Sequence, residues 1–284
     1  MIKCKRKKVD SWSAIWRIYE CFAGTNRTWI FRGLTDPCHH LMTSLERAAE
    51  RFELKPSQRP EMEECLRRHF RRQAHHYLTN LPKENDTVEW LALMQHHGAP
   101  TRLLDWSYSF FVGLYFAIEK ADAKCALRCL NHDWLAKRVE TKFYRVIKPI
   151  FKRDPHLKIP EFFTSVFKAT RPLDLVYPLN PERLNPRLSI QQGLFLAAGN
   201  LTKSFEDNFE SLQEDADRDY VWQIIIDISK FDVKKEILRN LYRMNVTRAA
   251  LFPGLDGFAE SLKPMLAFPE ILRGRVPFDP RITG

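Results

Sequence analysis

The sequence predicts an α+β fold with a small mixed β-sheet core, helices, and a large helical or irregular insertion. Its composition is that of a globular protein, with 44% hydrophobic and 28% charged residues. Short aromatic and β-branched runs typical of buried strands alternate with stretches in which apolar residues recur at helical spacing. With 284 residues, the chain is long enough for one elaborated domain or two closely joined ones.

Each predicted element follows from a local pattern. Residues 29–33 form a compact aromatic and β-branched run that a glycine stops, which indicates a buried strand. Residues 220–228 give the clearest strand pattern, and residues 187–196 are similar. Apolar residues in helical phase predict helices at 9–23, at two places between 44 and 78, from 87 to 94, and at 110–121, 229–242 and 258–262. The helix at 110–121 is apolar almost all round and is therefore expected to be buried.

The same patterns suggest a domain organisation. Residues 1–24 are predicted to be a basic N-terminal segment with a helix, residues 25–262 the main domain, and residues 263–284 a C-terminal tail. Residues from about 122 to 180 combine basic and aromatic residues with several prolines and form the predicted insertion.

Charge and composition limit the class of partner. The net charge of +10 favours an anionic partner such as nucleic acid, although a basic surface can also serve solubility alone. No apolar run reaches the length of a membrane-spanning helix, and the first residues lack the apolar segment of a secretory signal. Six scattered cysteines suit reduced thiols, so we expect a cytoplasmic protein without membrane association.

Arg32 is the first candidate site residue. It follows three large apolar residues and precedes Gly33, so its guanidinium would leave a sheet where backbone can approach a ligand. A planar guanidinium suits phosphate or a ribose hydroxyl. The alternative is a structural arginine that satisfies carbonyls or a carboxylate such as Asp105.

The segment 95–107 is the second candidate, because it holds many polar side chains within thirteen positions. Gly98 and Pro100 interrupt any continuous helix, which predicts a polar loop. In the alternative reading, Asp105 or Ser107 caps the following helix and Trp106 anchors the loop.

Other chemistries are disfavoured. Cys125, Cys129 and His132 have the spacing of one helix face, but no fourth ligand lies nearby, and we expect no metal. The sequence has no phosphate loop, no dinucleotide-binding glycine pattern and no serine nucleophile elbow.

Four motifs together resemble the FRG-domain family over about residues 25–262. They are FRG at 31–33, QHHGAPTRLLDWS at 95–107, QQGLF at 191–195 and LFPGLDG at 251–257. This family plan is similar to that of ADP-ribosyltransferases, and some bacterial members look like toxins of phage-defence systems that have a neutralising partner protein.

The resemblance implies an ADP-ribosyltransferase-like fold and NAD as co-substrate. The residues it implies for NAD binding are Arg32, Gly33, His96, His97, Thr101, Ser107 and Gln192. Arg32, Asp105 and Gln192 are the implied catalytic residues. The third motif offers glutamines where such enzymes carry a glutamate, so either Asp105 supplies the carboxylate or Gln192 replaces it.

The expected function is therefore NAD-dependent mono-ADP-ribosyl transfer to nucleic acid, with RNA as the expected acceptor, by a toxin in antiviral defence. Breaking the bond between nicotinamide and ribose passes through a cationic state that a carboxylate stabilises. The alternatives are a non-catalytic module that binds nucleotide or nucleic acid, and an NAD glycohydrolase.

Overall fold

The structure is a computed structural model that describes residues 2–146, 166–167, 171–181, 185–266 and 268–269. These residues form a seven-stranded mixed sheet in the order β1-β7-β4-β2-β3-β6-β5. β1 and β7 are parallel, and every other neighbouring pair is antiparallel. The α+β class is thus confirmed. The strands are β1 (Lys5–Val9), β2 (Trp29–Leu34), β3 (Leu103–Ser107), β4 (Lys124–Asn131), β5 (Val176–Leu179), β6 (Gly193–Ala198) and β7 (Val221–Asp227).

Helices cover both faces of this sheet. In chain order they are α1 (Trp12–Ala23), α2 (Ser44–Arg51), α3 (Arg59–Ala74), α4 (Thr87–His96), α5 (Phe110–Ile118), α6 (His132–Lys142), α7 (Pro186–Ile190), α8 (Phe205–Glu210), α9 (Phe231–Arg243), α10 (Arg248–Leu251) and α11 (Leu255–Met265). Short 3-10 helices lie at Pro56–Gln58 and Asp215–Tyr220. Among the described residues, no helix is long and apolar enough to cross a membrane.

The alternating side chains of the strands build two cores. From β2, Phe31 packs into the core that α1, α5 and α9 cover, and Ile30 packs into the core on the opposite face. The second core contains residues of α4, α6 and α8. Because both faces are covered, the central strands are apolar on both sides, apart from a few positions such as Arg32.

Most predicted elements are confirmed. The helix at the N-terminus, the strand containing Arg32, the two helices before residue 78, the buried helix α5, and the pair β7 and α9 all lie where the sequence predicts them. The basic start of the chain, in contrast, contains an unpredicted edge strand. The side chains of Arg6, Lys7 and Lys8 stay exposed there, which is how charged residues are accommodated at a sheet edge.

Two predictions of local structure are wrong. Segment 95–107 is not a loop throughout: α4 extends to His96, and Leu103–Ser107 is strand β3, because Leu103, Leu104 and Trp106 bury against the sheet. Segment 187–196 begins as a helix, which Asn185 caps and Pro186 starts, and becomes a strand only at Gly193.

The predicted insertion at 122–180 contains a central strand, β4, then α6 and later β5. Residues 147–165 and 168–170 of it lie outside the described residues. Cys125 and Cys129 lie in β4 rather than on a helix, so they share no helix face with His132. Burial raises the pKa of Cys125 to about 12 and also raises the pKa of Cys129, so both thiols pack as protonated groups.

The sheet is weakest between β2 and β3. These two strands pair only at Phe31 and Ser107, whereas β2 pairs with β4 over its whole length and β3 pairs with β6 over its whole length. Beyond Phe31 the two strands therefore separate, and the sheet opens beside Arg32 and Gly33.

Candidate functional site

A cleft of about 220 Å³ lies where β2 and β3 separate. Its walls come from β2, β3, α5, α7 and the turn after α7. The lining residues are Phe31, Arg32, Gly33, Asp105, Trp106, Ser107, Phe116, Arg187 and Gln191. The cleft thus joins parts of the chain that are more than 150 residues apart.

Arg32 spans the gap between the separated strands. Its Nη1 donates a hydrogen bond of 2.6 Å to the backbone carbonyl of Asp105, so a side chain replaces the donor that a neighbouring strand would supply. Its Nε is buried without a hydrogen-bond partner. Burial lowers the pKa of Arg32, and the Asp105 carboxylate opposes that effect. Part of the Arg32 guanidinium is thus used in a hydrogen bond to the backbone, which agrees with the alternative of a structural arginine that satisfies carbonyls.

Asp105 presents its carboxylate at the exposed side of β3. Its Oδ2 accepts a hydrogen bond of 2.9 Å from Nε2 of Gln95, at the end of α4. Gln95 is held in turn by Thr101, whose Oγ1 donates to its Oε1 at 2.6 Å, with Ser44 Oγ at 3.4 Å. Because two hydroxyls fix the amide oxygen, the amide nitrogen faces Asp105, and the carboxylate has a defined orientation.

Ser107 and Gln191 close the inner wall through backbone contacts. Ser107 Oγ donates to the Gln191 carbonyl at 2.7 Å and accepts from the Ser109 amide at 2.9 Å. Gln191 Nε2 donates to the Leu251 carbonyl at 2.9 Å. The second motif, the glutamine pair and the fourth motif therefore meet at this wall.

The structure brings part of the predicted site together. Arg32, Gly33, Asp105 and Ser107 all line the cleft.

The other predicted residues lie elsewhere. Thr101 is fully buried and acts on Gln95. Gln192 occupies a turn with a φ of 46° and an exposed side chain, and Gln191 takes the place in the wall. His96 and His97 stand at the end of α4, outside the cleft lining. Burial, followed by the nearby His97 and Arg187, lowers the pKa of His96.

Sequence reasoning overlooked Gln95 as a supporting residue and Arg187 as a lining residue. Gln95 opens the second motif, so its position was a usable signal. Arg187 precedes the third motif by four positions, but no local pattern marks it, because its neighbours in space are distant in sequence.

The comparisons with known proteins agree with the motifs in part. Residues 27–125 match the family model described as FRG domain, so the resemblance is confirmed over this segment, which includes β2, β3 and all the lining residues of the cleft except Arg187 and Gln191. Neither the curated proteins nor the solved structures contain a significant match to the chain.

Proposed function

We propose that this protein is an NAD-dependent mono-ADP-ribosyltransferase that modifies RNA. The proposal rests on the cleft between β2 and β3, in which the Asp105 carboxylate faces the same space as the guanidinium groups of Arg32 and Arg187. Cationic groups suit the phosphates of NAD, and a carboxylate suits the cationic ribose that forms when nicotinamide leaves.

The chemistry needs few groups. The bond between ribose C1′ and the nicotinamide nitrogen breaks, and its electron pair stays on nicotinamide. A nucleophilic nitrogen or oxygen of the acceptor then bonds to C1′, and the acceptor's proton leaves to Asp105 or to solvent. Gln95 holds Asp105 in one orientation, so the negative charge is in place before the positive charge develops.

RNA is the acceptor that the charge of the chain favours. A net charge of +10 attracts a polyanion over several ångströms, and single-stranded bases offer nucleophilic atoms without base flipping. Such an activity would harm the producing cell. The proposal therefore includes a cytoplasmic toxin of antiviral defence with a neutralising partner protein.

Incubation with NAD labelled in its ADP-ribose half, together with total RNA or total protein, tests the activity. We expect labelled RNA and free nicotinamide. Asp105→Asn should lower transfer by about 10²–10³-fold, because it removes the charge and keeps the shape. Arg72→Gln on the exposed side of α3 is the matched control and should transfer at the wild-type rate.

The other outcomes identify the alternatives. Free nicotinamide without any labelled polymer indicates an NAD glycohydrolase. Labelled protein instead of labelled RNA shows that the acceptor is protein. If NAD binds but is not cleaved, the chain is a nucleotide-binding module. Expression in the host tests the toxin: growth should stop with the wild type and resume with Asp105→Asn at equal protein level.

A further inference from the structure

The fourth motif, at residues 251–257, has no role in the chemistry above, yet it adjoins the cleft. Its first residue, Leu251, accepts the hydrogen bond from Gln191. Its second residue, Phe252, packs edge-on against Phe116 of the cleft wall, with ring centroids 5.9 Å apart. After Phe252 the chain turns back tightly, so that Gly257 lies against the Phe252 backbone. A Cβ at Gly257 would overlap the Phe252 carbonyl. The motif therefore fixes one aromatic ring beside the cleft.

This ring holds two arginines. The guanidinium carbon of Arg187 lies 4.4 Å from the Phe252 ring centroid, and that of Arg248 lies 4.5 Å from it. Both distances are within the range of favourable cation–π contact. A guanidinium held against a ring keeps its N–H edge free for a ligand, since the ring contacts its face.

The arginines around the cleft differ in what they already bind. Arg32 donates to the Asp105 carbonyl. Arg248 donates to both carboxylate oxygens of Glu119, at 2.9 and 3.0 Å. Arg187 lines the cleft, and within the described part of the chain its guanidinium has neither a hydrogen-bond acceptor nor an ion-pair partner within 4.0 Å. Of these three arginines, Arg187 is therefore the one whose guanidinium makes no hydrogen bond within the described residues, so its N–H edge remains available for a ligand.

We infer that Arg187, which Phe252 of the fourth motif holds in place, is the residue that binds the diphosphate group of a nucleotide in this cleft. A guanidinium matches two phosphoryl oxygens with two parallel N–H donors, and its partial burial strengthens such bonds. Asp105 is near enough to oppose the effect of burial on the pKa of Arg187. The diphosphate would thus lie next to the carboxylate that stabilises the ribose. The inference rests on the proposed function for the identity of the whole nucleotide.

Calorimetric titration of the 284-residue chain with ADP and with inorganic pyrophosphate tests this inference. Arg187→Gln should weaken the binding of both by about ten- to a hundredfold, the effect of losing charge-assisted hydrogen bonds. Arg187→Lys keeps the charge but loses the paired donors, so it should weaken binding less than Arg187→Gln does. Circular dichroism and the thermal midpoint show whether each variant is folded.

The supporting ring is tested separately. Phe252→Leu removes the ring but keeps an apolar side chain, and it should weaken ADP binding several-fold. Phe258→Leu, at an exposed position on α11, should leave ADP binding unchanged. Folded Arg187→Gln protein that binds ADP like the wild type would overturn the inference, as would a wild type that binds neither probe.

The proposed function can fail independently. If ADP binding depends on Arg187 but NAD is never cleaved, the inference stands and the enzymatic proposal fails. If NAD is cleaved at the same rate and the same KM in Arg187→Gln, the enzymatic proposal stands and Arg187 is not the diphosphate ligand.

Discussion

Hydrogen bonds between side chains decide which polar residues of the second motif can meet a ligand. Asp105 reaches the cleft, and Thr101 and Gln95 stand behind it in a chain of two hydrogen bonds. Arg102 of the same motif points elsewhere, into a buried ion pair with Glu63 of α3. Residues of one continuous motif thus do three different things: Asp105 lines the cleft, Gln95 and Thr101 orient Asp105, and Arg102 forms a buried ion pair.

Thr101→Val tests the support. The substitution keeps the shape of a fully buried side chain and removes the donor to Gln95 Oε1. It also removes the acceptor of the Leu103 amide. We expect the free energy of unfolding to fall by about 1–3 kcal/mol, the cost of unsatisfied buried polar groups. Denaturant unfolding measures this loss, and an unchanged midpoint would mean that Thr101 does not support the motif.

His40 gives the stability a pH dependence. Its Nδ1 lies 2.7 Å from Glu206 Oε2, and the hydrogen bond to that carboxylate, followed by its charge, raises the pKa of His40 above 6.5. A raised pKa in the folded state stabilises the protein fully below the unfolded value and not above the folded one. The effect is small, because the His40 side chain is 72% exposed.

The thermal midpoint of His40→Gln should therefore lie below that of the wild type at about pH 5.5, below the ordinary pKa of histidine, and approach it as the pH rises through the raised pKa of His40. High salt should reduce the difference at the lower pH. A difference that grows as the pH rises would contradict the assigned contact.

At the scale of elements, β2 and α5 approach so closely that neither tolerates side chains at the contact. A Cβ at Gly33 would overlap the backbone of α5 at Ala117, and a Cβ at Gly113 would lie 2.8 Å from Phe31 Cβ. This contact holds the helix that carries Phe116 against the strand that carries Arg32. The glycine of the first motif therefore serves packing as well as access to the cleft.

Gly33→Ala should destabilise the protein by about 1–3 kcal/mol, because the added methyl group forces backbone to move. Gly98→Ala is the matched comparison: it has open space around it but a φ of 79°, so it should cost about 1 kcal/mol for conformation alone. Chemical denaturation of both variants measures the two costs. Equal small losses would show that β2 and α5 can separate without penalty.

The accuracy of the predicted elements follows from how local their causes are. The helices with one apolar face, such as α1 and α9, bury that face, so periodicity predicts them. The sequence predictions for β3 and α7 are wrong because polar and turn-forming residues surround short apolar runs there. Only contact with the sheet decides that Leu103 and Leu104 are extended.

At the scale of the whole molecule, most strands of the sheet lie outside the segment that matches the family model. Residues 27–125 contain β2 and β3, but β1, β5, β6, β7 and nearly all of β4 lie outside them. β2 and β3 share one register pair, and their main partners are β4 and β6. The matched segment thus supplies two strands of the core that scarcely pair with each other.

We therefore expect a fragment of residues 27–125 to be unfolded in isolation. It would expose the apolar surfaces of β2 and β3 and leave their outer backbone groups without partners. Circular dichroism and amide proton dispersion, measured beside the full chain, test this. A cooperative unfolding transition in the fragment would show that the matched segment is an independent domain.

The sequence by itself determined the α+β class and the strands and helices with a clear period, and it singled out Arg32 and Asp105 as candidate site residues, because each of these inferences depends on residues that are neighbours in the sequence. Only the tertiary structure decided where the sheet opens and which of the three arginines beside the opening makes no side-chain hydrogen bond within the described residues. Arg32 binds a carbonyl 73 positions away, and Arg187 rests on the ring of Phe252. Both contacts join segments that are distant in the sequence, so no local sequence pattern predicts them.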